Sequence, residues 1–198
     1  MSQAIRCVIG LGNPGVQYDL TRHNAGFWVA DRFADELGAT FSEEKKLFSW
    51  VAKTHFDGRA LLLAKPTTFM NRSGQAVAAV CNFYKIAPEE VLVVHDELDL
   101  PPGAAKIKQG GGHAGHNGLR DIQKALGTPN FWRLRIGIGH PRDFGMQQAV
   151  AAYVLSQPRT DDWPAIELAI ERCKRELPQL LRAEMEAVAQ QLNGAHRK

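Results

Sequence analysis

The chain lacks the features that would send it into a membrane or out of the cell. It holds no run of roughly 18 apolar residues, the length a helical span needs. The N-terminal MSQAIRCVIG enters an apolar strand pattern without a signal-peptide cleavage region, so secretion is not expected. Cysteine is scarce: Cys7, Cys81 and Cys173 are odd in number, widely spaced and without a CxxC pair. That argues against a disulfide framework or a thiolate metal site and fits reduced buried thiols in a cytoplasmic protein. A G-x-S-x-G elbow and an HExxH helix are both missing, so the usual serine nucleophile and zinc-peptidase arrangements are not indicated. Aromatic residues make up 8% and form no RNP-like cluster, which lowers the case for a module that only stacks RNA bases. Net charge is +3, too small by itself to mark a nucleic-acid binder. With no repeat, low-complexity tract or linker, 198 residues suit one domain spanning 1–198.

What is present is concentrated in a few loops. Residues 110–118 read GGGHAGHNG, two histidines and an asparagine among glycines, a composition that packing does not ask for. A chain this pliable brings backbone N–H groups and imidazoles close to a ligand, at an entropic cost that structure alone does not repay. Upstream, residues 91–103 read VLVVHDELDLPPG, a buried strand pattern delivering an acid to its C-terminal tip, where open α/β sheets place their ligands. Around the glycine loop, Lys106, Lys108, Arg120, Lys124, Arg133, Arg135 and Arg142 stand against a single acid, Asp121. Such a surplus beside a candidate site suits a polyanionic substrate, and equally a solvated face balanced by acids elsewhere.

Hydrophobic periodicity predicts a strand at 5–11, a helix at 25–37, and a hairpin of 48–56 with 59–64 about the Asp57-Gly58 turn. A helix at 73–84, strands at 91–96 and 105–108, a helix at 119–126 and a strand at 131–139 follow. Residues 161–193 are helical in pattern, with Pro178 expected to split them into two pieces. This alternation predicts an α/β fold, a single domain with a mixed, largely parallel sheet and helices on both faces.

Several motifs carry competing readings. Residues 10–15, GLGNPG, match the G-x-G-x-x-G dinucleotide fingerprint, but the helical pattern waits until about residue 23 and no acid ends a second strand at the required distance. His23 sits where a loop enters the first helix, and Asp96 ends a strand of the same sheet. A carboxylate holding one imidazole nitrogen leaves the other free to take a proton from water, while the plain alternative is a capping or surface histidine. Asn13 and Asn117 also fall at strand or loop tips, and no cysteine does, which favours direct attack by water over a covalent intermediate. His95, His113, His116 and His140 with Asp96 form the alternative metal set, without ligand spacing to support it. Asn71 or Ser73 reads either as a helix cap or as a substrate contact.

Taken together, GLGNPG at 10–15, TRHNAG at 21–26, KPTTFMNRSG at 65–74, HDELDLPPG at 95–103, GGGHAGHNGLRD at 110–121 and FWRLRIGIGHP at 131–141 resemble the blocks of bacterial peptidyl-tRNA hydrolases, in that family's order. The resemblance runs to about residue 158. It implies hydrolysis of the ester between a peptide and the ribose of its tRNA by a cytoplasmic monomer without metal or other cofactor. It implies His23 as general base, Asp96 as its orienting carboxylate and Asn13 at the reacting centre. Asn71 and Asn117 would then bond the peptide main chain, Tyr18, Met70 and His116 would line the cleft, and Lys106, Lys108 and Arg135 would meet tRNA phosphate. The readings from other classes are a noncatalytic RNA-binding protein and a metal-dependent hydrolase or nucleoside-processing enzyme on a similar sheet.

Overall fold

The alternating apolar segments assemble into one twisted sheet in the computed structural model, which describes residues 3–194. Of the domain expected over 1–198, residues 1–2 and 195–198 lie outside the described part. The strands are Cys7–Gly10 (β1), Ser42–Glu44 (β2), Ser49–Phe56 (β3), Arg59–Pro66 (β4), Val91–Glu97 (β5), Ala105–Gln109 (β6) and Trp132–Gly137 (β7). The helices are Ala25–Leu37 (α1), Ser73–Tyr84 (α2), Asn117–Leu126 (α3), Val150–Val154 (α4), Asp162–Arg175 (α5), Leu177–Leu181 (α6) and Met185–Gly194 (α7). Sheet order is β2-β3-β4-β1-β5-β7-β6. The central β4, β1, β5 and β7 are parallel, β3 and β6 run antiparallel to them, and the short edge strand β2 pairs antiparallel with β3. This is the single-domain, mostly parallel α/β sheet that the sequence predicts.

Strand alternation assigns each residue to a face. Val8, Leu92, Val94, Leu134 and Ile136 pack with α1 and α5–α7, while Cys7, Ile9, Val91 and Val93 pack beneath α2 and α3. The three thiols are free and buried, and burial pushes Cys81 up to about 11 and Cys173 to about 12, which makes them inert packing groups. Among the described residues no helix is long and apolar enough to cross a membrane.

Local details position the site. In the β3–β4 hairpin, Asp57 (φ 51°) and Gly58 (φ 73°) both take the left-handed conformation that a two-residue turn needs. The glycines of 10–15 do not open a helix, since α1 starts only at Ala25. Their use is close approach: a Cβ on Gly10 would lie 2.2 Å from the Gly26 carbonyl oxygen, and one on Gly26 would lie 2.3 Å from that of Val94. The first turn of α1 therefore rests directly on the tips of β1 and β5. Neither Asn71 nor Ser73 caps α2 through its side chain. The Ser73 hydroxyl donates to the Met70 carbonyl (2.7 Å), and the Gly74 N–H donates instead to the Asp121 carboxylate of α3 at 2.7 Å. Helix α3 begins before the expected residue 119 because His116 caps it, Nδ1 accepting from the Leu119 N–H at 3.3 Å.

The C-terminal segment departs from the expected two pieces. Pro178 does not divide it; it lies in the first turn of α6, where a missing N–H costs nothing, and the chain breaks at Glu176 and again around Ala183 (φ 57°). Three helices result. Short β2 and α4 were not expected.

Candidate active site

After Thr21, Arg22–Asn24 form a single 3-10 turn that leads into α1, and the three buried side chains of that turn are held in different directions. Arg22 donates to the Tyr153 carbonyl (2.9 Å) and the Ser156 hydroxyl (2.6 Å), its guanidinium 3.7 Å above the Tyr153 ring. Asn24 accepts from the Asn13 N–H (2.8 Å) and donates to the Asn13 carbonyl (3.0 Å). His23 is fixed between these two anchors. Asn13 in turn accepts the Met70 N–H on Oδ1 at 2.7 Å, so its side chain has only the NH2 donors left to offer.

His23 Nδ1 donates to Asp96 Oδ2 at 2.9 Å, which leaves Nε2 as the lone-pair nitrogen. A second imidazole shares the carboxylate: His116 Nε2 donates to Asp96 Oδ1, also at 2.9 Å. Because His116 Nδ1 already accepts from Leu119, its proton belongs on Nε2, and the tautomer follows from the network. The His23 and His116 rings lie 5.1 Å apart. Burial pulls the His23 imidazolium toward deprotonation, but the Asp96 charge and hydrogen bond outweigh it and raise its pKa above the ordinary 6.5. Burial acts on Asp96 in the opposite sense from His23 and His116, whose positive potential and hydrogen bonds hold the carboxyl well below the usual range. Asp96 is thus an anion at neutral pH.

The pair opens on a cavity of about 200 Å³ lined by His23, Asp96, His116, Asn117 and, across from them, Val150 and Val154 of α4. Of the other residues named from sequence, Tyr18 packs edge-on against Phe69, Asn71 is exposed on the turn before α2, and Met70 is buried, reaching the site by its N–H. Lys106 pairs in register with Arg135, and Lys108 with Arg133, so all four project from one face of the β6–β7 edge. Arg135 is joined to Glu97 at 2.8 Å. Arg133 is fully buried and donates to the carbonyls of Gly111, Gly112 and Pro129, so it holds the glycine loop in place and is no surface cation.

Three ligand atoms of His23, Asp96 and His116 lie within 4.8 Å of one another, the one cluster among the described residues with metal-ligand geometry. A cation there would have to break both imidazole–carboxylate hydrogen bonds, and it would not gather the wider set suggested by sequence. His113 and His140 accept from the N–H groups of Gly115 and Arg142, and His95 donates from Nδ1 to the Asp96 carbonyl. Burial, then the neighbouring His116, pulls His95 down to about 3, so it stays neutral. Sequence reasoning passed over Arg22, Asn24 and Arg133 as structural elements of the site. For Asn24 the signal was available in its place beside His23; for the two arginines it was not, because only tertiary contacts show that they are buried.

Comparison with known proteins gives the family of the chain. The family model described as peptidyl-tRNA hydrolase matches residues 7–198. The peptidyl-tRNA hydrolases of Bordetella avium and Bordetella petrii are each 60% identical, covering 98% of this chain and 94% of the relative in the first case, 99% and 93% in the second. The crystal structure of peptidyl-tRNA hydrolase from Acinetobacter baumannii superposes with a TM-score of 0.91 at 41% identity, over 98% of this chain and 96% of that one. With the matched region running from β1 to the C-terminus, the chain belongs to the peptidyl-tRNA hydrolase family and is a hydrolase.

Proposed function

We propose that the protein hydrolyses the ester joining a peptide to tRNA by direct attack of water, with His23 as general base. The observation that carries this reading is the 2.9 Å bond from His23 Nδ1 to a buried, ionised Asp96, which aims the free Nε2 at the cavity. Nε2 takes a proton from water as the oxygen attacks the ester carbonyl, Asp96 stabilises the imidazolium, and the proton then passes to the departing ribose oxygen. The Asn13 amide orients the ester or the water. An ester needs far less activation than an amide, so one positioned base, worth about 10²–10⁴-fold, together with oriented binding suffices. Asn71 and Asn117 offer amide donors and acceptors to the peptide main chain beside Tyr18, Met70 and His116. A free aminoacyl-tRNA, with a charged amine in place of the amide, cannot form the same hydrogen bonds. The three buried thiols support a cytoplasmic setting, and one chain holding every group of the reaction supports a monomer.

The direct test is incubation with an N-blocked aminoacyl-tRNA, scoring released tRNA. Turnover is expected to persist undiminished after exhaustive chelation. Loss on chelation with recovery on adding Zn²⁺ would transfer His23, Asp96 and His116 to a metal site.

Lys106, Lys108 and Arg135 are proposed to meet tRNA phosphate, supported by their shared face on the β6–β7 edge. Changing any one to alanine should weaken tRNA substrates and flatten the slope of log affinity against log salt by roughly 0.7–0.9 for each phosphate no longer neutralised. A short ester without the tRNA body should be unaffected. Equal losses on both across a salt series would refute a phosphate role.

A further inference from the structure

A second cleft, of about 420 Å³, shares no lining residue with the His23–Asp96 cavity and opens where the Asn13–Gly15 loop after β1, the first turns of α1 and the β3–β4 pair meet. Its floor is aromatic: Phe27 and Trp50 pack edge to face, and Phe41 and Trp28 complete the wall. Lys65 stands in register with Trp50 and runs its stem between these rings, its ammonium 4.5 Å from the centre of Phe41 and 5.7 Å from those of Phe27 and Trp50. One ammonium hydrogen is taken by Asp31 at 2.6 Å, and Asp19 stands at the same mouth. The rings hold the ammonium through cation–π contact but do not demand a cation at this position. The lysine's strand neighbours Leu63, Ala64 and Pro66 are buried, an apolar residue would satisfy the rings, and an ion pair with exposed Asp31 adds little stability.

We infer that this cleft is a subsite for the peptide upstream of the esterified residue, taking an apolar side chain against Phe27, Phe41 and Trp50 while a peptide carbonyl accepts from Lys65. The inference rests on the proposed reaction and follows from sheet order. The reacting centre lies over β1 and β5, and the cations proposed for phosphate lie on β7 and β6 to one side, so the acyl part of the substrate extends to the other, over β4 and β3. Asn13 and Asn24 line this cleft, and Asn24 follows His23 in the turn that carries the base, so the cleft borders the site. Asp19 and Asp31 make the mouth unfavourable for a nucleotide backbone and for an acidic side chain.

The test compares three substrates on one tRNA with the same esterified residue: an N-acetylated single residue, and N-acetylated tripeptides with Leu or with Glu upstream. For the wild-type protein, kcat/KM for the Leu tripeptide should exceed that for the single residue by about tenfold, the scale of one partly buried apolar side chain, with the Glu tripeptide below it. Trp50→Ala and Lys65→Leu should reduce the Leu-to-single-residue ratio severalfold, mainly through KM. Asp31→Asn, an exposed and conservative change that guards against misfolded variants, should raise the Glu tripeptide relative to Leu. Ratios that stay the same in all three variants overturn the subsite, and so does a parallel fall in affinity for uncharged tRNA, which would place a nucleotide there. If the wild-type protein hydrolyses none of the three substrates, it is the proposed reaction that fails.

Discussion

Replacing His23 with alanine is expected to lower single-turnover hydrolysis of peptidyl-tRNA by about 10²–10⁴-fold while affinity for uncharged tRNA stays within a few-fold of wild type. The side chain removed is the one whose free Nε2 faces the cavity, and it touches none of the cations on the β6–β7 edge. Its neighbours keep their anchors, because Arg22 is held by Tyr153 and Ser156 and Asn24 by the backbone of Asn13. The fold, and the tRNA contact proposed for that edge, are therefore expected to survive the change. Wild-type rates would remove His23 from the reaction and direct attention to His116, whereas parallel loss of binding and activity in a folded variant would favour a noncatalytic RNA-binding role.

Asp96→Asn should lower turnover by about 10³–10⁴-fold, and the network dictates how. His116 keeps its proton on Nε2 because Leu119 donates to its Nδ1, so it claims the new amide's oxygen. The amide NH2 is left facing His23 Nδ1 and forces the His23 proton onto Nε2, the nitrogen that has to be empty. The pH profile should move as well. A general base works when neutral, so kcat/KM rises with pH to a plateau, with a midpoint above 6.5 in the wild-type protein, where the Asp96 charge outweighs burial. With the charge gone only burial remains, and the midpoint drops below 6.5 while the plateau falls. A profile that keeps its midpoint would separate Asp96 from the base. The double variant His23→Ala, Asp96→Asn should be little worse than His23→Ala alone, because the two act as one unit.

Helices α1 and α2 and the β3–β4 hairpin were legible in the sequence to within a residue or two, because their apolar spacing is regular and their ends carry turn chemistry. Helix α4, VAAYV, has too few residues to show a period, yet Val150 and Val154 form one wall of the cavity. Pro178 illustrates a local rule with two outcomes, since proline both ends helices and starts them, and which it does depends on the packing of Leu177, Leu180 and Leu181 into the core. At the site, the meeting of His23 with Asp96 could be read from one position at the entry to the first helix and one at a strand tip. That His116 would share the same carboxylate could not, because it depends on how the glycine loop folds back. Nor could the burial of Arg133, which in sequence is one more cation in a basic stretch and in the fold is a tether for that loop.

The contact between Gly74 and Asp121 bears on selectivity. Asn71 precedes α2 and Asn117 opens α3, and the two helices are pinned to each other near these ends by one hydrogen bond at a place where a Cβ on Gly74 would lie 2.2 Å from the Asp121 carbonyl oxygen. If the two asparagines grip the peptide as proposed, this contact sets the gap between them, like the jaws of a caliper locked at one opening. Such jaws would measure the repeating backbone, which is alike in every peptide, and would leave discrimination among side chains to the aromatic cleft beside β3 and β4.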